Sequence, residues 1–243
     1  MHRFANPTRF LGLARRIMPW SAAVMWLALL AGLYLALIAS PPDYQQGETV
    51  RIMYIHVPSA MMSLGLYAFM GAASFVGLVW RHPLAHLAAK AAAPVGAAFA
   101  VVTLATGSLW GRPMWGTWWE WGDARMTSML VQLFLYVGYI AVWQAIDNRE
   151  RAARAAAVVA LVGLVNLPII KFSVEWWNTL HQGASILRIG GPSIHPSMQW
   201  PLWLMVAAAA GYATCVILWR LRAEIAKRRI EAMQINQAQS AEG

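Results

Sequence analysis

Trp110-Gly111-Arg112-Pro113-Met114-Trp115-Gly116-Thr117-Trp118-Trp119-Glu120-Trp121-Gly122-Asp123-Ala124-Arg125 places five tryptophans within twelve positions, Trp110 to Trp121, between two long apolar runs. The stretch also carries Gly111, Gly116, Gly122 and Pro113, residues that punctuate regular structure, so it reads as a loop rather than a plain helix. Tryptophan is large, flat and amphipathic, and a buried one covers about 150–250 Å² of a partner. Two readings follow. One is a belt of aromatics at a membrane–water interface. The other is an aromatic shelf for a flat, largely apolar ligand with a polar edge. A belt needs one or two tryptophans per helix end, and five in one loop exceed that.

The flanking runs set the class. The 243 residues are 59% hydrophobic and only 12% charged, against about 25% charged in a soluble domain. Apolar runs of about 20 residues, enough to cross a bilayer, occur six times, over approximately 19–40, 57–80, 91–110, 127–146, 155–172 and 201–219. The expected fold is all-α: a polytopic integral membrane protein of six transmembrane helices in one domain, 1–220, followed by a basic tail, 221–243. Arg3, Arg9, Arg15 and Arg16 precede the first run as in a signal peptide, but the run exceeds the 7–15 residues (approximately) of such a core, so it reads as a retained helix.

Charge gives the orientation. If both termini share one side, that side holds fourteen of the nineteen Lys and Arg, including Arg3, Arg81, Lys90, Arg149 and the cluster from Arg220 to Arg229. The other side holds Arg51, Arg112, Arg125, Lys171 and Arg188, while the ten acids divide evenly. By the positive-inside rule both termini are cytoplasmic and the Trp-rich loop, 110–126, is periplasmic. Topology thus accounts for the whole net charge of +9. No nucleic-acid partner is needed, and the tail is an anchor beside anionic membrane lipid. The connections expected inside, 81–90 and 147–154, are short, and those outside, 41–56, 110–126 and 173–200, are long.

Cys215 is the single cysteine. This excludes an intrachain disulfide, a Cys-x-x-Cys redox pair and a Cys-x-x-Cys-His attachment site, and Cys215 reads as a small core residue. No Gly-x-Ser-x-Gly, His-Glu-x-x-His or Walker pattern points to hydrolysis.

Of six histidines, His2, His82 and His86 fall inside and read as loop or interface residues. His56, His181 and His195 fall outside with the tryptophans. A lone histidine there is commonly an ordinary hydrogen-bonded residue, but two opposed imidazoles also fill the axial positions of a haem. If 175–181 is helical, Trp177 and His181 share a face. Spacing does not choose between His181 and His195. Ile55-His56-Val57-Pro58-Ser59 and Ile194-His195-Pro196-Ser197 echo each other, a pattern that a shared helix start also explains. Arg51, Arg112, Arg125, Lys171 and Arg188 are the cations available to a ligand carboxylate, Arg offering bidentate geometry. A local pair of Arg125 with Asp123 or Glu120 competes with that role.

Four motifs together resemble a known family. Trp115-Gly116-Thr117-Trp118-Trp119-Glu120-Trp121-Gly122-Asp123-Ala124-Arg125-Met126-Thr127-Ser128, Arg51-Ile52-Met53-Tyr54-Ile55-His56-Val57-Pro58, Val165-Asn166-Leu167-Pro168-Ile169-Ile170 and Ser173-Val174-Glu175-Trp176-Trp177-Asn178-Thr179-Leu180-His181-Gln182-Gly183 are similar, in that family's order, to the cytochrome c maturation protein C family, also called haem exporter protein C. The resemblance covers roughly residues 20–220. One residue departs: Gly122 separates Trp121 from Asp123, adjacent in the family pattern, which re-aims Asp123 and Arg125.

The resemblance implies six transmembrane helices with cytoplasmic termini in the bacterial inner membrane. It implies non-covalent haem b with His56 and His181 as axial ligands, so it selects His181 over His195. It implies a porphyrin held at the Trp-rich loop near the outer interface; the reading that follows seats it edge-on against Trp110, Trp115, Trp118, Trp119 and Trp121, with Trp176, Trp177 and Asp123 nearby and Arg125 or Arg51 on a propionate. It implies a non-enzymatic subunit that presents haem to a periplasmic haem chaperone. Its partners are an ABC-type ATPase subunit, a second membrane subunit and a small single-helix protein. Two rival readings are a transmembrane haem transporter, against which stands the lack of a mid-span charge, and a cytochrome b-like electron-transfer subunit, which needs histidines within the helices.

Overall fold

The computed structural model describes residues 6–183, 185–186 and 190–242. Arg188, one of the candidate carboxylate partners, and His2 and Arg3 lie outside the described residues. The described residues form seven α-helices: α1 (Pro7–Tyr34), α2 (Met53–Trp80), α3 (Pro83–Trp115), α4 (Ala124–Ala145), α5 (Arg149–Gly163), α6 (Asn166–Trp176) and α7 (Pro196–Glu242). A π turn, Leu35–Ala39, extends α1, and a 3₁₀ turn, Glu48–Ile52, leads into α2. With α5 and α6 taken together, six helical segments are long and apolar enough to cross a membrane, as expected from the six runs.

Boundaries differ from the sequence reading: α1 begins at Pro7 rather than near 19, α7 continues through the expected tail to Glu242, and three further differences have local causes. The fifth run is two helices, broken after Gly163. A new helix starts at Asn166, with the Leu167 amide on the Leu164 carbonyl at 3.1 Å, and Pro168 falls in its first turn, where the missing amide costs no helical hydrogen bond. The expected inner loop 81–90 shrinks to Arg81 and His82: the His82 ring caps α3 by accepting from the Ala85 amide, and His86 and Lys90 are helical. Finally, α3 runs through Gly111 and Pro113 to Trp115. Pro113 lies in the last turn, where its missing amide removes one hydrogen bond, and the helix stops only at Gly116, whose φ of 80° ends it in the left-handed conformation. The non-helical Trp loop is therefore 116–123, and Trp110 and Trp115 are helical.

α2 packs most extensively on α3, and α1 on α7. The interior is made of small residues and tyrosines: Ala89, Ala92, Ala93, Ala100, Ala156 and Ala160 surround Tyr67, Tyr136 and Tyr139. Large apolar side chains such as Trp20, Leu27 and Leu30 instead point outward. That inversion suits a lipid solvent, where close helix packing rather than water exclusion drives association. Gly96 illustrates it, since a Cβ there would lie 2.1 Å from the Tyr136 hydroxyl. Tyr136 donates to the Ser63 carbonyl at 2.6 Å, and Asn166 donates to the Ser128 carbonyl and to Gln132 Oε1 at 3.0 and 3.1 Å. These bonds satisfy polar groups that hydrocarbon would leave unpaired.

The two ends of the bundle differ. One end carries the start of α1, the two-residue α2–α3 connection and the short α4–α5 connection. It is tied together by ion pairs Lys90–Glu224 and Arg149–Glu231 and by Arg229 on Thr8. The start of α1 and the end of α7 therefore share this end. The other end carries all the long connections and the tryptophan-rich loop.

Candidate functional site

At that second end, α2, α3, α4 and α6 open around a cavity of about 400 Å³, within the range of cofactor sites, about 300–1,000 Å³. His56 enters one turn into α2. Thr103, Gly107, Trp110 and Trp115 line it from α3, Trp119 from the loop, Arg125, Met126 and Met129 from α4, Lys171 from α6, and Leu180 and His181 from the segment after α6. Each histidine has a tryptophan beside it. The His56 and Trp110 rings are 5.7 Å apart, edge to face, and the His181 and Trp115 rings 4.8 Å apart. Trp110 is itself fixed, its indole donating to Gln46 Oε1 at 3.0 Å. The Trp119 indole nitrogen is buried and has no partner, a donor available to a bound group.

Asp123 organises the rim. It is 2% exposed and caps α4, accepting from the Met126 amide at 2.9 Å. Its other oxygen accepts from the Leu180 amide at 2.8 Å and lies 3.4 Å from His181 Nδ1. Burial alone would raise the Asp123 carboxyl, but the Met126 and Leu180 amides and the His181 ring hold it below its ordinary range. Burial lowers His181, and the nearby Arg125 lowers it further, against the opposing pull of Asp123. Histidine is therefore neutral at physiological pH, the form that ligates metal.

Several expected placements are revised. α6 ends at Trp176 and Trp177 is extended, so Trp177 and His181 share no helical face; Trp115 takes that place. Trp176 stacks on Phe172 and is 56% exposed, while Trp118, Trp121 and Trp177 also face outward. Arg51 is turned away from the cavity, bonded to the Ala36 carbonyl and paired with Glu48. Arg112 bonds the Gly116 carbonyl. Arg125 is held not by Asp123 or Glu120 but by Ser173 Oγ at 3.2 Å and the Lys171 carbonyl at 3.4 Å, which leaves it at the cavity wall with Lys171. His195 sits at the start of α7 with Ser197, away from the cavity lining. Thr106, 3.0 Å from His56 Nδ1, is a contact that sequence reasoning missed, since a threonine in an apolar helix is unremarkable.

Among the described residues no three His, Cys, Asp or Glu side chains gather as a metal site. Two imidazoles alone under-ligate a bare ion, whereas a macrocyclic iron brings its remaining ligands with it. The donor set, the flat aromatic walls and the two rim cations fit such a group. A second, open groove of about 630 Å³ between α1 and α7, lined by Trp20, Val24 and Ala210 with Arg16 at its edge, has no comparable polar convergence.

A family model described as CcmC, Heme exporter protein C, matches residues 1–236. The chain belongs to the Heme exporter protein C family. It is 56% identical over 234 residues to a Heme exporter protein C of Bradyrhizobium diazoefficiens, covering 96% of this chain and 88% of that one. It is 48% identical over 222 residues to that of Escherichia coli K12, 91% of this chain and 89% of the other. With that of Rhodobacter capsulatus it shares 39% over 232 residues, 95% and 96% respectively. In this Heme exporter protein C family member Gly122 lies in a turn: the Asp123 amide bonds the Glu120 carbonyl and the Gly122 amide bonds Glu120 Oε1. Asp123 still reaches the first turn of α4.

Proposed function

We propose that this chain binds haem b non-covalently in the cavity between α2, α3, α4 and α6 and presents it to a periplasmic haem chaperone during cytochrome c maturation. It does so as a non-enzymatic subunit in the bacterial inner membrane. The observation that carries the reading is the convergence of His56 and His181, from elements far apart in the chain, on one aromatic-walled cavity. Both Nδ1 atoms lie beside oxygen acceptors. His56 and His181 would hold the iron, with Trp110, Trp115 and Trp119 flanking the ring and Arg125 and Lys171 accepting the propionates. Arg125 suits that task because Ser173 and the Lys171 carbonyl orient it without neutralising it. When bound, the group would supply an iron that His56 and His181 hold, which suits carriage rather than oxygen chemistry.

The same reading makes the wide end periplasmic, on the positive-inside charge balance, and both termini cytoplasmic. On this reading ATP hydrolysis belongs to an ABC-type ATPase subunit, and this chain carries no Walker pattern. A second membrane subunit and a small single-helix protein complete the complex. The rim tryptophans Trp118 and Trp121, 54% and 72% exposed, remain free to meet the chaperone or the membrane surface. To test the site, His56 and His181 are replaced separately by Ala and haem content and Soret band are recorded on purified protein. Each substitution should lower haem retention and convert the spectrum from six-coordinate; unchanged spectra in both refute the assignment.

A further inference from the structure

The His56 ring is backed by a hydroxyl whose own proton is already committed. Thr106 Oγ1 lies 2.6 Å from the Val102 carbonyl, four residues earlier in α3, and 3.0 Å from His56 Nδ1. A carbonyl can only accept, so the single threonine proton goes to Val102, the shorter contact and the usual back-bond of a helical threonine. The hydroxyl oxygen then faces His56 as an acceptor. Only a ring with hydrogen on Nδ1 satisfies it, which leaves the Nε2 lone pair bare. The next residue, Gly107, makes room for this arrangement: a Cβ there would stand 3.0 Å from His56 Cε1. One turn of α3 thus supplies both the acceptor and the space.

His181 repeats the pattern with a different acceptor. Asp123 Oδ2, ionised, faces its Nδ1 and also accepts only a hydrogen. Two unrelated elements, a mid-helix threonine and a helix-capping aspartate, therefore impose the same tautomer on the two rings that line one cavity.

We infer that Thr106 is a positioning residue that fixes His56 as the Nδ1–H tautomer and so keeps its Nε2 ready for a metal, as Asp123 does for His181. The structural part stands on ligand-free protein; its consequence for haem rests on the function proposed above. Ligand histidines commonly donate their second nitrogen to an outer partner, and loss of that partner lowers metal affinity about 10–100-fold.

The test uses the full-length protein in detergent, labelled with ¹⁵N-histidine, above the imidazole titration range. His56 is assigned by its disappearance in His56→Ala. In the ligand-free wild type the His56 nitrogens should report hydrogen on Nδ1. Thr106→Val, close in shape but without an acceptor, should shift them toward the Nε2–H form, and Thr106→Ser should restore the wild-type pattern. Haem titration of the same proteins should show a loss of about 10–100-fold in Thr106→Val and recovery in Thr106→Ser. A wild-type ring already in the Nε2–H form, or a Thr106→Val ring identical to wild type, overturns the inference whether or not haem binds. A wild type that binds no haem through His56, with the tautomer as expected, instead refutes the proposed function and leaves the positioning of the ring intact.

Discussion

Replacing Asp123 by alanine should detach the segment that carries His181 without unfolding the bundle. Asp123 performs two separable tasks. As the cap of α4 it accepts from the Met126 amide, and losing a cap costs about 1 kcal/mol. As an anchor it accepts from the Leu180 amide across 57 residues of sequence, and a hydrogen bond to a charged group contributes about 1.5–3 kcal/mol. Taking about 2 kcal/mol for the anchor, the closed state of the His181 segment loses a factor of about 30, at tenfold per 1.4 kcal/mol. Hydrogen exchange read by mass spectrometry should show amides in 177–181 exchanging about 30-fold faster, while α4 beyond its first turn keeps its protection. The wild type gives a second reading through pH. His181 has its pKa lowered from 6.5, so the folded state favours the neutral ring, and its contribution is present above 6.5 and lost as pH falls through the lower folded value. Asp123, also lowered, contributes fully above its unfolded value of about 3.9 and is lost only as pH drops through its still lower folded value. Loosening of the segment, corrected for intrinsic exchange, should therefore begin below pH 6.5 and complete in strong acid. If Asp123→Ala leaves exchange at 177–181 unchanged, Asp123 is not what holds His181 at the cavity.

Two further outcomes test the frame around the site. Gly96→Ala places a Cβ 2.1 Å from the Tyr136 hydroxyl and should destabilise the bundle by about 1–3 kcal/mol through overpacking, read as a lower melting temperature in detergent. Trp115→Ala should weaken haem binding about tenfold or more, because Trp115 lines the cavity against His181 and an aromatic pair adds about 0.5–1.5 kcal/mol beyond its area. Trp121→Ala, at an exposed position, should change it by less than about twofold; equal losses in a haem titration would count against the division of the tryptophans drawn here.

Much of the fold is legible in the chain because a bilayer asks for one simple quantity, the length of an apolar run. All six runs appear as membrane-length helical segments. What hydrophobicity does not resolve is where a helix stops. Gly163 and Asn166 bracket a break inside an apolar stretch whose hydrophobicity does not mark it, and Pro168 alone would not reveal it, since α3 continues through Pro94 and Pro113. In the tryptophan-rich stretch the same rule misleads in the other direction. Pro113 reads as a breaker, yet α3 passes through it and stops at Gly116, so five tryptophans that look equivalent divide into three at the cavity and two at the surface. The histidines show the same limit. His181 and His195 are alike by spacing, and the resemblance to a family, not any local property, separates them. In the structure the separation is made by Asp123, far from both in sequence. Thr106 is hidden for a plainer reason: its back-bond to Val102 is what any threonine in a membrane helix does, and only the ring packed against it reveals a second use.

The unequal ends of the bundle explain why a site of this kind lies where it does. Non-helical backbone at a membrane rim must find partners for every amide and carbonyl or meet water. At the narrow end this is solved by brevity, with two residues between α2 and α3 and an asparagine cap on α5. At the wide end it is solved by side chains: Asp123 on Met126 and Leu180, Thr117 and the Trp119 backbone bonding each other, and Thr127 on the Trp121 carbonyl. Those bonds hold the loop open as a rim instead of letting it collapse onto the helices, and the volume kept open is walled by the helix ends that meet there. His56 belongs to α2 and His181 to a non-helical segment that Asp123 pins in place, so the two imidazoles are held by different means, one by its helix and the other by a single side chain.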